Sequence, residues 1–132
     1  MLMKHVLGIV EKVVIRGAKE KTVLALVDTG AKLTSVDSRL AAQAEIGPVV
    51  RSTKIKSASK HDVTSRPVHN VEIEIGGMKF LAEVNVADRS KMAFPVLIGR
   101  NILCGHFLVD AEKNMDVFRR VATEKRMLSE LR

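Results

Sequence analysis

The 132-residue chain has no Trp, no Tyr and only four Phe, so aromatic residues make up 3% of it. Its core must be aliphatic, which suits strands of Val and Ile. Base stacking on aromatic rings is hardly available, which weighs against single-stranded nucleic acid as a partner. The lone cysteine, Cys104, excludes an internal disulfide framework and reads as a small buried apolar residue in a reducing compartment. No stretch reaches the ~18 apolar residues of a spanning helix, and Met1–Gly8 lacks the apolar run of a secretory signal. The expectation is a soluble, cytoplasmic protein without a membrane partner.

The four histidines are scattered, with no His-Glu-x-x-His and no Cys-x-x-Cys, so no metal is expected. Gly17 to Thr22 lacks the second Gly and the Gly-Lys-Ser/Thr ending of a phosphate loop, so no nucleotide cofactor is expected either. Acids are also scarce: 15 Asp and Glu stand against 22 Lys and Arg, a net charge of +7. Such an excess favours an acidic partner, whether nucleic acid, anionic membrane or polypeptide, and does not choose among them.

What is present is enough for one domain, with 46% hydrophobic residues. Val6 to Ile15 predicts a strand, and Arg16 to Lys21 a polar turn into a return strand, Val23–Val27, buried on both faces. Leu33 to Val36 predicts a short strand. Asp37 or Ser38 can cap a brief helix over 39–44, which Gly47-Pro48 would end. Arg51 to Lys56 and Val63 to Val68 flank Ser57-Ala58-Ser59-Lys60-His61, which reads as an exposed, mobile hairpin tip. Val71 to Ile75 alternates with period two, Gly76-Gly77 turns, and Lys79 to Val86 returns. A short helix is expected after Gly99, a core strand over His106–Asp110, and a terminal helix over Thr123–Leu131, too short to persist without docking.

The apolar run Val23–Val27 ends on Asp28-Thr29-Gly30-Ala31-Lys32. Asp-Thr-Gly alone is an ordinary turn tripeptide. A second apolar run, Phe94-Pro95-Val96-Leu97-Ile98, ends on Gly99-Arg100-Asn101. Two such elements in this order resemble the retropepsin-like aspartic proteases. Within them the chain is similar to a small prokaryotic group often labelled "ATP-dependent zinc proteases", through Asp28 to Lys32, Asp88-Arg89 with Met92, and Leu97 to Arg100. The label's zinc and ATP find no residues in the sequence.

The resemblance spans roughly Val23 to Asp110 and implies a mainly β fold, a closed single-lobe barrel, in a domain of residues 1–110 followed by a tail, 111–132. It implies that Asp28, Thr29 and Gly30 are catalytic, supported by Gly99, Arg100 and Asn101. Ala31 and Lys32, with the flap residues Lys56, Ser57, Ala58, Ser59 and Lys60, would bind substrate. Peptide hydrolysis by carboxylates needs two sharing a proton, and this chain supplies one Asp-Thr-Gly, so a homodimer is expected. Where retroviral enzymes follow Asp-Thr-Gly-Ala with an Asp that pairs with the Arg of Gly-Arg-Asn, this chain has Lys32, and Arg100 must find another partner. The basic flap and Lys32 suggest an acidic peptide substrate, such as a glutamate-rich tail. The alternative is a catalytically silent module of the same fold that binds an acidic protein or nucleic acid.

Overall fold

A computed structural model describes residues 3–56 and 63–130. Its strands are β1 (His5–Leu7), β2 (Val10–Arg16), β3 (Glu20–Val27), β4 (Thr34–Asp37), β5 (Val49–Lys56), β6 (Val63–Ile75), β7 (Met78–Ala87), β8 (Val96–Ile98) and β9 (Phe107–Val109). The helices are α1 (Ser38–Ala44), α2 (Arg100–Leu103) and α3 (Met115–Glu130). None of the described helices is long and apolar enough to cross a membrane.

Six strands close a barrel in the order β2-β3-β8-β4-β7-β6, and β6 pairs back onto β2 through Val14–Arg16 and Glu72–Glu74. The mainly β, single-lobe closed barrel is therefore what the chain forms. Its interior is aliphatic, with Val13, Ile15, Val36, Ile73, Val84 and Ile98 almost completely shielded from solvent. Arg16 lies across the closing seam, its guanidinium bonded to Glu20 at 2.9 Å, Glu74 at 3.2 Å and Glu72 at 3.3 Å.

Several elements depart from the sequence expectations. The first strand is broken at Gly8–Ile9, where the Ile9 N–H turns to the Lys113 carbonyl at 3.1 Å. Its first piece, β1, leaves the barrel and pairs in parallel with β9, so the expected final core strand stands in a separate two-stranded sheet. The run Val23–Val27 is fully buried only at Ala25 and Val27, because a barrel strand turns alternate residues outward. The two segments around His69–Asn70 form one 13-residue strand, β6. Its first half pairs with β5 as a projecting hairpin and its second half closes the barrel.

Asp37 does cap α1, its Oδ2 accepting from the Arg39 N–H at 3.1 Å. The helix ends before Gly47-Pro48, on Glu45 in the left-handed conformation (φ 51°). Gly76 and Gly77 both take positive φ, 58° and 77°, as the expected two-residue hairpin requires. Cys104 is exposed at the end of α2, not buried. The terminal helix α3 starts at Met115, two turns earlier than expected, and docks through Phe118, whose ring stacks on Phe94 at 5.9 Å.

Candidate active site

Strand β8 lies between β3 and β4, parallel to the first and antiparallel to the second. The loop joining β3 to β4, residues 28–33, must therefore cross over the end of β8. This crossing is where the two motifs meet. The Asp28 N–H donates to the Ile98 carbonyl at 2.9 Å, the Arg100 N–H to Ala31 O at 2.8 Å, and the Asn101 N–H to Lys32 O at 3.2 Å. Gly99 sits directly under the crossing. A Cβ there would lie 2.8 Å from the Leu33 carbonyl carbon, 2.9 Å from its oxygen and 3.0 Å from Ala31 O.

Asn101 ties the crossing to both neighbouring strands. Its Oδ1 accepts from the backbone N–H and the hydroxyl of buried Thr34 at 2.9 and 2.8 Å, and its Nδ2 donates to Glu83 O at 2.8 Å. The Thr34 hydroxyl oxygen in turn accepts from the Gly99 N–H at 3.0 Å. Arg100 finds its partner in the Asp28 turn itself: Nη1 donates to Thr29 O at 3.1 Å. A backbone carbonyl thus takes the place of the carboxylate that Lys32 replaces.

Within this frame Asp28 is half-buried, while Thr29 and Gly30 are exposed. Asp28 Oδ1 accepts from the Gly30 N–H at 2.8 Å, and Oδ2 has no hydrogen-bond partner among the described residues. The carboxylate is held by the turn with one oxygen available to a water or a second acid. A Cβ on Gly30 would sit 3.2 Å from Oδ1, so the close N–H approach favours glycine.

Beside the loop opens a cavity of about 920 Å³ between the β5–β6–β7 surface and the crossing. Ala31 and Lys32 form part of its wall, whereas Asp28 is not in the lining. The cavity is strongly cationic: Lys32, Arg51, Lys54, Arg66, Arg89 and Arg100 all line it, and the one acid among the described lining residues, Glu83, is already forked to Arg51 at 3.0 Å. Arg51 holds the Glu83 carboxyl below its ordinary value, by hydrogen bonding first and by charge second.

Arg89 is the buried member. Its N–H donates to Asp37 Oδ1 at 2.7 Å, and its Nε to the Phe94 carbonyl at 3.1 Å. Burial pushes this guanidinium down, nearby Arg66 adds to the shift, and Asp37 and Asp28 pull the other way. Arg89 therefore lies within electrostatic reach of both Arg66 and Asp28.

The structure thus brings Asp28, Thr29, Gly30, Ala31 and Lys32 against Gly99, Arg100 and Asn101. Ser57, Ala58, Ser59 and Lys60 lie outside the described residues, as does the side chain of Lys56, whose backbone pairs with Val63. Sequence reasoning did not single out Glu83, Ser35 or Asn85; it names Arg51, Lys54 and Arg66 only as basic residues of the flap interval and Arg89 only within a family pattern. The pair Asp88-Arg89 was visible as part of a family pattern, but only the fold places Arg89 beside Arg66.

A model of the RimB-like family, described as retropepsin-like aspartic endopeptidase RimB, matches residues 36–116, starting beyond the Asp28 loop. Among solved structures, the chain is similar to a Legionella pneumophila protein of unknown function, with a TM-score of 0.58 and 22% identity, over 83% of this chain and 95% of that one. At that identity the likeness shows the fold. No curated protein matches the sequence. Neither likeness supports the zinc protease label. The family match covers well over half of the chain: it belongs to the RimB-like family of retropepsin-like aspartic endopeptidases.

Proposed function

We propose that the protein is an aspartic endopeptidase that works as a homodimer, each subunit contributing one Asp28. The observation that carries this reading is the Asp28 turn. It is clamped from below by Gly99, Arg100 and Asn101, and it presents a half-exposed carboxylate with one oxygen bound to Gly30 N–H. Two such carboxyls brought face to face across a two-fold axis share one proton, since both cannot easily ionise about 3 Å apart. The ionised one draws a proton from water while the protonated one donates to the scissile carbonyl oxygen. Thr29 and Gly30 stand at the exposed edge of the loop, where a second copy would meet them.

The cationic cavity favours an acidic peptide as substrate, with Lys32 and the β5–β6 hairpin facing it. The same cavity would serve a non-catalytic binder of acidic polypeptides, which predicts salt-dependent binding without cleavage. Hydrolysis of a glutamate-rich peptide by the purified protein, and its loss in Asp28→Asn with the fold retained, separates the two readings. An Asp28→Asn protein that still cleaves would sink the aspartic mechanism.

A further inference from the structure

Two buried polar atoms have no hydrogen-bond partner among the described residues: Ser35 Oγ and Asn85 Oδ1. Their residues are only 4% and 5% exposed. They are direct partners in the parallel pairing of β4 and β7, and both line the cationic cavity. Orphaned buried polar groups are uncommon because each forfeits its hydration without return. Here two stand side by side, with Arg66 and Arg89 lining the same cavity.

The donors around this spot are the Ser35 hydroxyl, the Asn85 side-chain NH2 and two guanidinium groups. Arg89 spends its Nε on the Phe94 carbonyl, and its two Nη groups have no hydrogen-bond partner among the described residues. The acceptor is Asn85 Oδ1. Two cations and a hydroxyl call for an anionic oxygen pair, and guanidinium forks match a carboxylate well. An orphaned amide oxygen beside them calls for an N–H on the same ligand.

We infer that Ser35, Asn85, Arg66 and Arg89 form a subsite that binds a carboxylate with a neighbouring peptide N–H, and so selects the acidic residue of a bound peptide. This deepens the peptidase reading by naming what positions the substrate, yet the binding itself needs no hydrolysis. Arg89 lies at the floor, fixed through Phe94 and Asp37, while Arg66 comes from the β6 arm of the hairpin. A carboxylate seated between them relieves the repulsion of the two cations and bridges the barrel floor to the hairpin.

The test uses the 132-residue chain carrying Asp28→Asn, expected to leave the probe uncleaved, and a fluorescein-labelled tetraglutamate read by anisotropy. Arg66→Gln is expected to weaken binding by about tenfold or more, as for loss of a charged hydrogen bond. Arg119→Gln, which removes the same charge from an exposed position on α3, is expected to change it less than about twofold. Ser35→Ala is expected to weaken binding while raising the Tm of the free protein, because it deletes an unpaired buried hydroxyl. Probes with single Gln substitutions and a C-terminally amidated probe tell a side-chain carboxylate from a terminal one. The proposal is overturned if Ser35→Ala and Arg66→Gln bind like the parent, or if Arg119→Gln loses as much as Arg66→Gln. It is also overturned if neither Gln substitution nor amidation affects binding. Failure of the peptidase reading would instead appear as tight, subsite-dependent binding by a wild-type protein that does not cleave.

Discussion

Asn101 Oδ1 accepts two hydrogen bonds from one residue, the backbone N–H of Thr34 at 2.9 Å and its hydroxyl at 2.8 Å. Thr34 is completely buried, so neither donor has water to fall back on. Asn101→Ala is therefore expected to destabilise the fold by about 1–3 kcal/mol, the cost of stranding buried donors. Urea denaturation would measure it, and a change within ~0.5 kcal/mol would show that the clamp is not structural.

Gly99→Ala puts a methyl between two backbone segments. The atoms it would meet, at 2.8 to 3.0 Å, belong to the main chain at Leu33 and Ala31 and cannot rotate aside. A loss of about 1–3 kcal/mol, the usual range for overpacking, is expected. Activity should fall further than stability, because the segment that yields is the Asp28 loop itself. Thermal melts and peptide cleavage measured side by side would reveal the difference.

Glu83 reads pH at the hairpin. Its folded pKa is depressed by Arg51, so the ion pair's contribution is fully present above the ordinary carboxylate pKa and is lost as pH falls through the folded value. The pair joins β5 to β7 from the solvent side. On acidification, the protection factors of β5 amides, corrected for the intrinsic pH dependence of exchange, should fall before those of the barrel strands. Glu83→Gln should show low β5 protection already at neutral pH, with little further change in protection on acidification.

The terminal helix supports the cavity at a distance. Phe118 stacks on Phe94, whose carbonyl holds Arg89, and Lys125 bonds to Ser90 O in the same loop. Phe118→Ala is expected to cost about 1–2 kcal/mol, less than a fully buried Phe because the ring is only half-buried. It should also weaken acidic-peptide binding while leaving the Asp28 turn intact. Affinity unchanged from wild type would mean that Arg89 is held without the helix.

The parts of the fold legible in the sequence were those written in local chemistry. Alternating Val and Ile marked the strands, Asp37 the helix cap, Gly76-Gly77 the hairpin, and the two apolar runs ending in Asp28 and Gly99 the strands that carry the site. What escaped depended on contacts between distant segments. Gly8–Ile9 breaks the first strand because Lys113, more than 100 positions away, offers a carbonyl. The length of α3 was hidden because Phe118 finds its partner in Phe94. The cavity was invisible for the same reason: Ser35, Asn85, Arg66 and Arg89 come from three strands and a loop, and no spacing links them.

The central claim is that catalysis needs two copies of Asp28, and mixed dimers test it most directly. Wild-type chains and Asp28→Asn chains are refolded together from urea in varying ratios at constant total concentration, and hydrolysis of a glutamate-rich peptide is measured. If each site takes one Asp28 from each subunit, activity falls with the square of the wild-type fraction, because every mixed dimer is silent. Activity that falls in simple proportion to that fraction would mean that each chain cleaves alone, and would contradict the account.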